Sequence, residues 1–396
     1  MMKPLKWLLL LLLPLWLVGC EEDDAQKRQT IGEQTLFMYL PWSGDAGALT
    51  SNFLTNIQDI KDVIANGLPV GCRVMVFFME NNHSGRLFEL LPNGRGAVYE
   101  QEVKTYTEPP ITTVEGIRSI LNDVVSVAPA KRYAMTIGCH GMAWIPATQA
   151  AARGEAEREY WDYLDENGNP LTRWFGGSSP AFQTDISTLA EAIRTAGMKM
   201  EFILFDDCYM SSVEVAYELR DVADHLIGST SEIMAYGFPY KEMGAHMIGT
   251  VDYQGISQAF FDFYTSYVMP YGTIGITVTS ELDTLADVMR RINNQADLEA
   301  VDLTVLQSLD GYSPVRFFDL GDYVRHICTD ATLLAEFEAQ LERTVPSAWR
   351  KHTPSYYSSA NGVNDIYTYS GITTSDPSIS KACAAKRTTS WWKATH

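Results

Sequence analysis

Positive charge is scarce in this sequence, and its cysteines follow no pattern. Of 396 residues, 30 are Lys or Arg against 49 Asp or Glu, a formal charge of −19. Such a surface does not attract phosphate, so no nucleic acid partner is expected. A cationic substrate would be drawn in instead, although acidity alone mostly serves solubility. Six cysteines (Cys20, Cys72, Cys139, Cys208, Cys328, Cys383) are widely spread, with no CxxC pair and no zinc or haem spacing. A disulfide framework is therefore not expected, and a chain this long buries a core without one. No GxSxG elbow is present, which removes the usual signature of a serine esterase. No internal repeat is visible. With 28 Gly and 17 Pro the chain is neither collagenous nor of low complexity.

No apolar run reaches the roughly 20 residues of a spanning helix. The longest, Trp7 to Val18, is interrupted by Pro14 and follows Lys3 and Lys6. It reads as a secretory signal, residues 1–19. Its end, Leu17-Val18-Gly19-Cys20, resembles a lipobox, which makes Cys20 the expected lipidated first residue of the mature chain. Glu21 after it argues against inner-membrane retention. Residues 20–32 read as an acidic linker, and Glu21-Glu22-Asp23-Asp24 resembles the surface-export tag of Bacteroidetes lipoproteins. The expected location is the outer membrane; the acidic run is either a plain solvated linker or a surface-export signal, so the periplasmic and the external face both stay open.

Beyond this segment, buried-type strands alternate with amphipathic helices. Leu36–Leu40, Arg73–Met79, Leu87–Leu91, Tyr133–Cys139, Phe202–Phe205 and His225–Gly228 read as strands. Residues 48–66 carry helical spacing at Leu49, Phe53, Ile57, Ile60 and Ile64 and stop at Asn66-Gly67. Further helices are expected over 113–127 with Thr113 as cap, over 185–196, over 211–222 and over 283–295. The stretch WDYLDENGNPLTRWF reads as a hairpin around Asn167-Gly168. This order predicts an α/β fold, a mostly parallel sheet with helices on both faces.

In such sheets reacting groups collect at the carboxyl ends of strands. Two expected strands end in reactive side chains, one at His140 and one at Cys208. A thiol needs a neighbouring base to act as a nucleophile near neutral pH, and histidine is the usual one. Each residue alone is more often structural; the two together, each directly after a strand, point to a nucleophilic pair.

The segments GCHG (138–141) and FDDC (205–208) resemble the clostripain family of cysteine endopeptidases, of the caspase, legumain and gingipain clan. The text after Cys208 fits as well: SSVEVAYELRDVADHLIGSTSE, then YGFPY (236–240), FFDLGDYV (317–324), YSGITTSDPS and SWWKATH. The resemblance spans the chain from about residue 33. It implies a caspase-like sheet with C-terminal additions, a catalytic domain over 33–270 and a C-terminal region over 271–396. It implies Cys208 as nucleophile, His140 as general base and acid, and backbone N–H groups of Gly141 and Cys208 around the oxyanion.

Side chains at i and i+2 share one face of a strand, so Asp206 should face the Cys208 side and Asp207 the other. In the family the acid two before the cysteine selects Arg or Lys before the cut, and peptides with those residues are the expected partners. The alternative is that Asp206 caps the next helix. Family members cut themselves after the catalytic His, and Arg153-Gly154 is the better candidate bond here, ahead of Arg158. The family is also linked to calcium. Asp165, Glu166, Asn167 and Asn169 offer oxygens, but the closing Glu of an EF-hand is missing, so no metal residue is assigned. Cys139 reads as a core thiol. Trp391 and Trp392 read as closing the C-terminal core rather than as a carbohydrate platform. The expected function is a lipid-anchored endopeptidase; the alternative is a silent surface binding protein on a peptidase-like scaffold.

Overall fold

The period of two along the first strand divides the interior into two cores. Strand β1 (Gly32–Leu40) sends Leu36, Met38 and Leu40 to one side and Phe37 and Tyr39 to the other, all buried. Apolar residues on both faces require helices on both faces. The computed structural model describes residues 31–41, 48–145, 175–176, 182–297 and 301–396.

Strand β1 pairs in parallel with β2 (Cys72–Asn81) on one side and with β5 (Ala130–Gly138) on the other. Strands β3 (Ser84–Pro92) and β4 (Val98–Thr107) continue antiparallel beyond β2. Beyond β5 lie β6 (Met200–Asp206) and β7 (His225–Gly228), both parallel. Then β8 (Thr273–Val278) and β9 (Lys351–His352) close the far edge antiparallel. The order of the nine strands is β9-β8-β7-β6-β5-β1-β2-β3-β4.

Helix α1 (Ala48–Asn66) lays Phe53, Ile57, Ile60 and Ile64 on the Leu36 face, beside α5 (Tyr240–Met247) and α6 (Tyr253–Ser266). The Phe37 face carries α2 (Val114–Val127), α3 (Ile186–Thr195), α4 (Val213–Leu219) and α7 (Leu282–Asn293). Each fully buried Leu, Ile or Phe contributes roughly 1.5–3 kcal/mol relative to exposure. The chain leaves β1 toward β2 over one face and returns to β5 over the other. The carboxyl ends of β1 and β5 therefore flank a switch point, where open α/β sheets bind ligands.

The C-terminal part adds α8 (Leu320–Ile327), α9 (Ala331–Thr344), a hairpin of Ser355–Ser358 with Gly362–Asp365, α10 (Lys381–Ala384) and α11 (Ser390–Thr395). Trp391 is buried edge-on to Tyr217 of α4, ring centroids 5.4 Å apart. Lys386 pairs with buried Glu214 of α4 at 3.2 Å. The tail is thus bonded to the helix that follows Cys208.

Strand β4 is not among the expected elements. Its sequence, VYEQEVKTYT, has no apolar run because it lies at the sheet edge with mostly exposed side chains. The helix expected from Ser211 to Val222 is shorter, Val213–Leu219. Ser212 is spent on a parallel bridge to Thr373, and Ser211 donates its N–H to Ser229 O at 2.9 Å. The expected hairpin around Asn167-Gly168 lies outside the described residues, as do Cys20, Arg153 and Arg158.

Candidate active site

Parallel pairing sets Gly138 of β5 beside Asp206 of β6. The residues that follow, Cys139-His140-Gly141 and Asp207-Cys208, therefore leave the sheet side by side. His140 and Cys208, 68 positions apart in sequence, line one cavity of about 390 Å³ at the carboxyl ends of the strands. Asp206 and Gly141 line it too, together with Phe53 and Asn56 of α1 and Glu232 to Ala235 and Gly237.

The His-Gly pair has a steric reason. A Cβ at residue 141 would stand 2.6 Å from Cys208 O and 2.7 Å from Asp207 Cβ. Only glycine lets the two loops approach this closely. His140 and Gly141 also pair as a short ribbon with Phe175–Gly176, which pairs in turn with Gln183–Thr184.

Alternation beyond β6 sends the two acids to different sides. Asp207 points away from the cavity, under the histidine loop. Its Oδ1 accepts the Cys139 N–H at 2.6 Å, and its Oδ2 accepts the Cys139 thiol at 3.3 Å. Neither acid caps α4, whose N-cap is Ser212. Burial and the charge of Asp206 hold the Asp207 carboxyl well above the usual range. Burial, with that carboxylate close by, does the same to the Cys139 thiol.

Asp206 lines the cavity and is only 4% exposed. Oδ1 accepts the Phe238 N–H at 2.9 Å. Oδ2 is buried without a hydrogen bond of normal geometry, although the Tyr240 hydroxyl is close enough to favour its charge slightly. Burial raises the carboxyl to about 7. Gly237, at φ +79°, lies so close that a Cβ there would meet Oδ1 at 2.5 Å. The glycine of YGFPY is thus fixed by the acid it covers.

Cys208 is half-buried, and its Sγ accepts the Ile233 N–H at 3.4 Å. Burial, then the nearby Glu232 carboxylate, pushes its thiol up to about 12. Burial pushes His140 down to about 4. In the ligand-free cleft both are neutral near pH 7. The chain reverses at Tyr209, which adopts a left-handed φ of +64°, a conformation costing about 1–2 kcal/mol for a non-glycine residue. The reversal is held by Tyr209 N–H to Ser231 O at 3.1 Å, by stacking on Phe317 at 5.1 Å, and by the hydroxyl on Glu232 at 2.9 Å. Behind it Thr273 Oγ1 ties Ser229 and Ser231 at 2.8 and 2.9 Å, so the STSE segment is a buried polar scaffold.

Sequence reasoning did not find Asn56, Glu232, Tyr312 or Ser359, which come from four separate segments. Asn56 lay on the expected helix over 48–66 and Glu232 inside GSTSE, but neither was given a role. Among the described residues no group of three His, Cys, Asp or Glu side chains is placed to hold a metal. Asp165, Glu166, Asn167 and Asn169 lie outside the described residues.

The clostripain family model matches residues 54–304. An X-ray structure of a secreted C11 cysteine protease from Bacteroides thetaiotaomicron, iotapain, is 49% identical, with a TM-score of 0.83 over 92% of this chain and 99% of its own. A clostripain from Bacteroides thetaiotaomicron ATCC 29148 in complex with the peptide inhibitor BTN-VLTK-AOMK is 54% identical, with a TM-score of 0.54 over 56% of this chain and 99% of its own. An inactive zymogen C11 protease from Parabacteroides distasonis is 26% identical, with a TM-score of 0.76 over 93% and 99%. Comparison with curated proteins gives no match. The caspase-like α/β sheet, the matched segment and these relatives agree: the chain belongs to the clostripain family of cysteine proteases.

Proposed function

We propose that this cysteine protease hydrolyses peptide bonds after Arg or Lys through Cys208 and His140, while tethered to the outer membrane by a lipid on Cys20. The observation that carries the specificity is Asp206. It is a carboxylate lining the cavity beside Cys208, with one oxygen lacking a normal hydrogen bond. No Lys or Arg is among the described residues lining that cavity. A guanidinium or ammonium entering there gains a charge-assisted partner and removes the cost of a buried unpaired carboxyl. One relative is in complex with a peptide inhibitor of sequence VLTK, lysine last before its AOMK group, which supports this reading.

The chemistry begins from a neutral thiol and a neutral imidazole. As Cys208 Sγ attacks the scissile carbonyl carbon, its proton passes to His140. The tetrahedral oxyanion takes hydrogen bonds from the N–H groups of Gly141 and Cys208, which belong to the loops that Gly141 holds together. His140 then protonates the leaving amine. Water, deprotonated by His140, releases the acyl group. Attachment at Cys20 rests on the lipobox-like Leu17-Val18-Gly19-Cys20; among the described residues no helix is long and apolar enough to cross a membrane.

The test is turnover of fluorogenic peptides ending in Arg, Lys, Asp or Ala by the purified protein, beside Cys208→Ala and His140→Ala. Activity confined to Arg and Lys and lost in both variants is expected. Equal rates on Ala or Asp peptides would refute the pocket, and activity surviving in Cys208→Ala would refute the dyad. Labelling with a lipid precursor, lost in Cys20→Ala, tests the anchor.

A further inference from the structure

We propose that Glu232 forms a second anionic subsite in the cleft, taking a basic side chain next to the Arg or Lys in the Asp206 pocket. The inference rests on the Arg/Lys reading and extends it from a single basic residue to a basic pair.

Glu232 lies on the cavity wall beside Cys208, one residue before Ile233, whose N–H reaches the thiol. Its carboxylate is fixed in place. Oε1 accepts the Tyr209 hydroxyl and the Ser358 hydroxyl at 2.9 Å each, and the Ser359 hydroxyl at 3.1 Å. The Ser359 N–H is 3.0 Å from both oxygens. All of these donors are uncharged, so the negative charge is held but not neutralised.

Four other buried or half-buried glutamates are treated differently. Glu89 faces Arg73, Glu100 faces Lys61 and Arg86, Glu201 faces Arg132, and Glu214 faces Lys386. Among the described residues no Lys or Arg forms an ion pair with Glu232, and none lines the cavity. Asp206 lines the same cavity, nearly wholly buried, with Oδ2 lacking a normal hydrogen bond. Two uncompensated carboxylates in one 390 Å³ cavity define a site for two cations rather than one. The gain is largest for a ligand that supplies both cations, because each carboxylate then meets a charge-assisted partner.

The arrangement also joins the C-terminal hairpin to the cleft. Ser358 and Ser359 lie at its turn, and Ser359 lines the cavity. The plain alternative is that Glu232 only clamps this turn against Tyr209.

Internally quenched peptides separate the two. One series keeps Arg at the cleaved position and carries Lys, Ala or Glu immediately before it; a second series varies the residue immediately after it. Rates are measured with the wild-type protein, and Kd values for the same peptides with Cys208→Ala. In one series the wild type should prefer Lys over Glu by on the order of tenfold, the effect of a hydrogen bond to a charged group. Glu232→Gln should bring the Lys-to-Glu ratio close to one, whatever it does to the rate on the Ala peptide. A uniform loss on all peptides with the ratio unchanged would leave Glu232 a clamp and overturn the proposal. So would the absence of a Lys preference in both rate and Kd. Replacing the cleaved Arg by Ala in the same peptides judges the Asp206 pocket separately.

Discussion

Asp206 in the cleft makes cation binding depend on pH in a way that can be worked out in advance. In the ligand-free protein burial raises Asp206 from 3.8 to about 7. At about 1.4 kcal/mol per pKa unit, this is on the order of 4 kcal/mol against the charged form. Below pH 3.8 the group is protonated in both folded and unfolded states and costs nothing. Between 3.8 and about 7 the unfolded chain is ionised while the folded one keeps its proton, so stability falls as pH rises. Above 7 the full cost is present. A bound guanidinium favours the ionised carboxylate, so binding near pH 6 should expel close to one proton. Affinity should rise about tenfold per pH unit up to pH 7 and then level off. Other ionisable groups near Asp206 are Asp207, Glu232, Tyr240 and Tyr264. Burial raises the two tyrosines above their ordinary value near 10, so they stay protonated in this window, burial and the charge of Asp206 also raise Asp207, and His140, near 4, stays neutral. The assay is calorimetric titration of Cys208→Ala with an Arg-terminated peptide, in two buffers of different ionisation heat, from pH 5.5 to 8. Asp206→Asn should bind weakly, without proton exchange, and should be more stable than the parent above pH 7 in the absence of ligand. Affinity that is flat from pH 5.5 to 7.5, with no proton exchanged, would show that Asp206 does not meet the cation.

Gly141→Ala places a methyl group 2.6 Å from Cys208 O. The two loops must part, so kcat should fall on the order of 10²-fold while stability falls by only about 1–3 kcal/mol; unchanged kcat/KM would contradict the steric account. Lys386→Met strands Glu214, which is fully buried and 3.2 Å from the lost cation. Urea unfolding should show a loss of about 3–5 kcal/mol, and Lys386→Met with Glu214→Leu should recover most of it. A double variant as unstable as the single one would show that the pair is not coupled. Asp207→Ala leaves the buried Cys139 N–H unsatisfied and should cost about 1–3 kcal/mol. Asp207→Asn, which still offers an acceptor, should retain most of that stability and of kcat; equal loss in both variants would refute the hydrogen-bond role.

Much of the scaffold was legible because its strands are buried on both faces. RVMVFFM read as a buried strand and FILF (202–205) as a strand, and β7 over His225–Gly228 was anticipated residue for residue. Edge strand β4 was not legible, since an exposed strand needs no apolar run. Helices α5 and α6 were not read either; they follow a turn-rich stretch, and α6 is packed through aromatic rings rather than an aliphatic stripe. At the site, strand alternation alone separates Asp206 from Asp207. It could not say that Asp207 would reach back to Cys139, because that bond crosses between neighbouring strands.

By itself, then, the sequence determined the local chemistry: a His-Gly and an Asp-Asp-Cys at the ends of two strands, and a family text around them. Those facts are set by side-chain periodicity and composition over a few residues. Tertiary structure alone decided which residues share the cleft with them. Parallel registration of Gly138 with Asp206 brings together groups 68 residues apart. The fold adds Asn56 from α1, Tyr312 from a loop and Ser359 from a hairpin 151 residues beyond Cys208. No local pattern encodes such meetings, because they depend on how whole elements pack, and the burial that shifts Asp206, Cys208 and His140 exists only once they have packed.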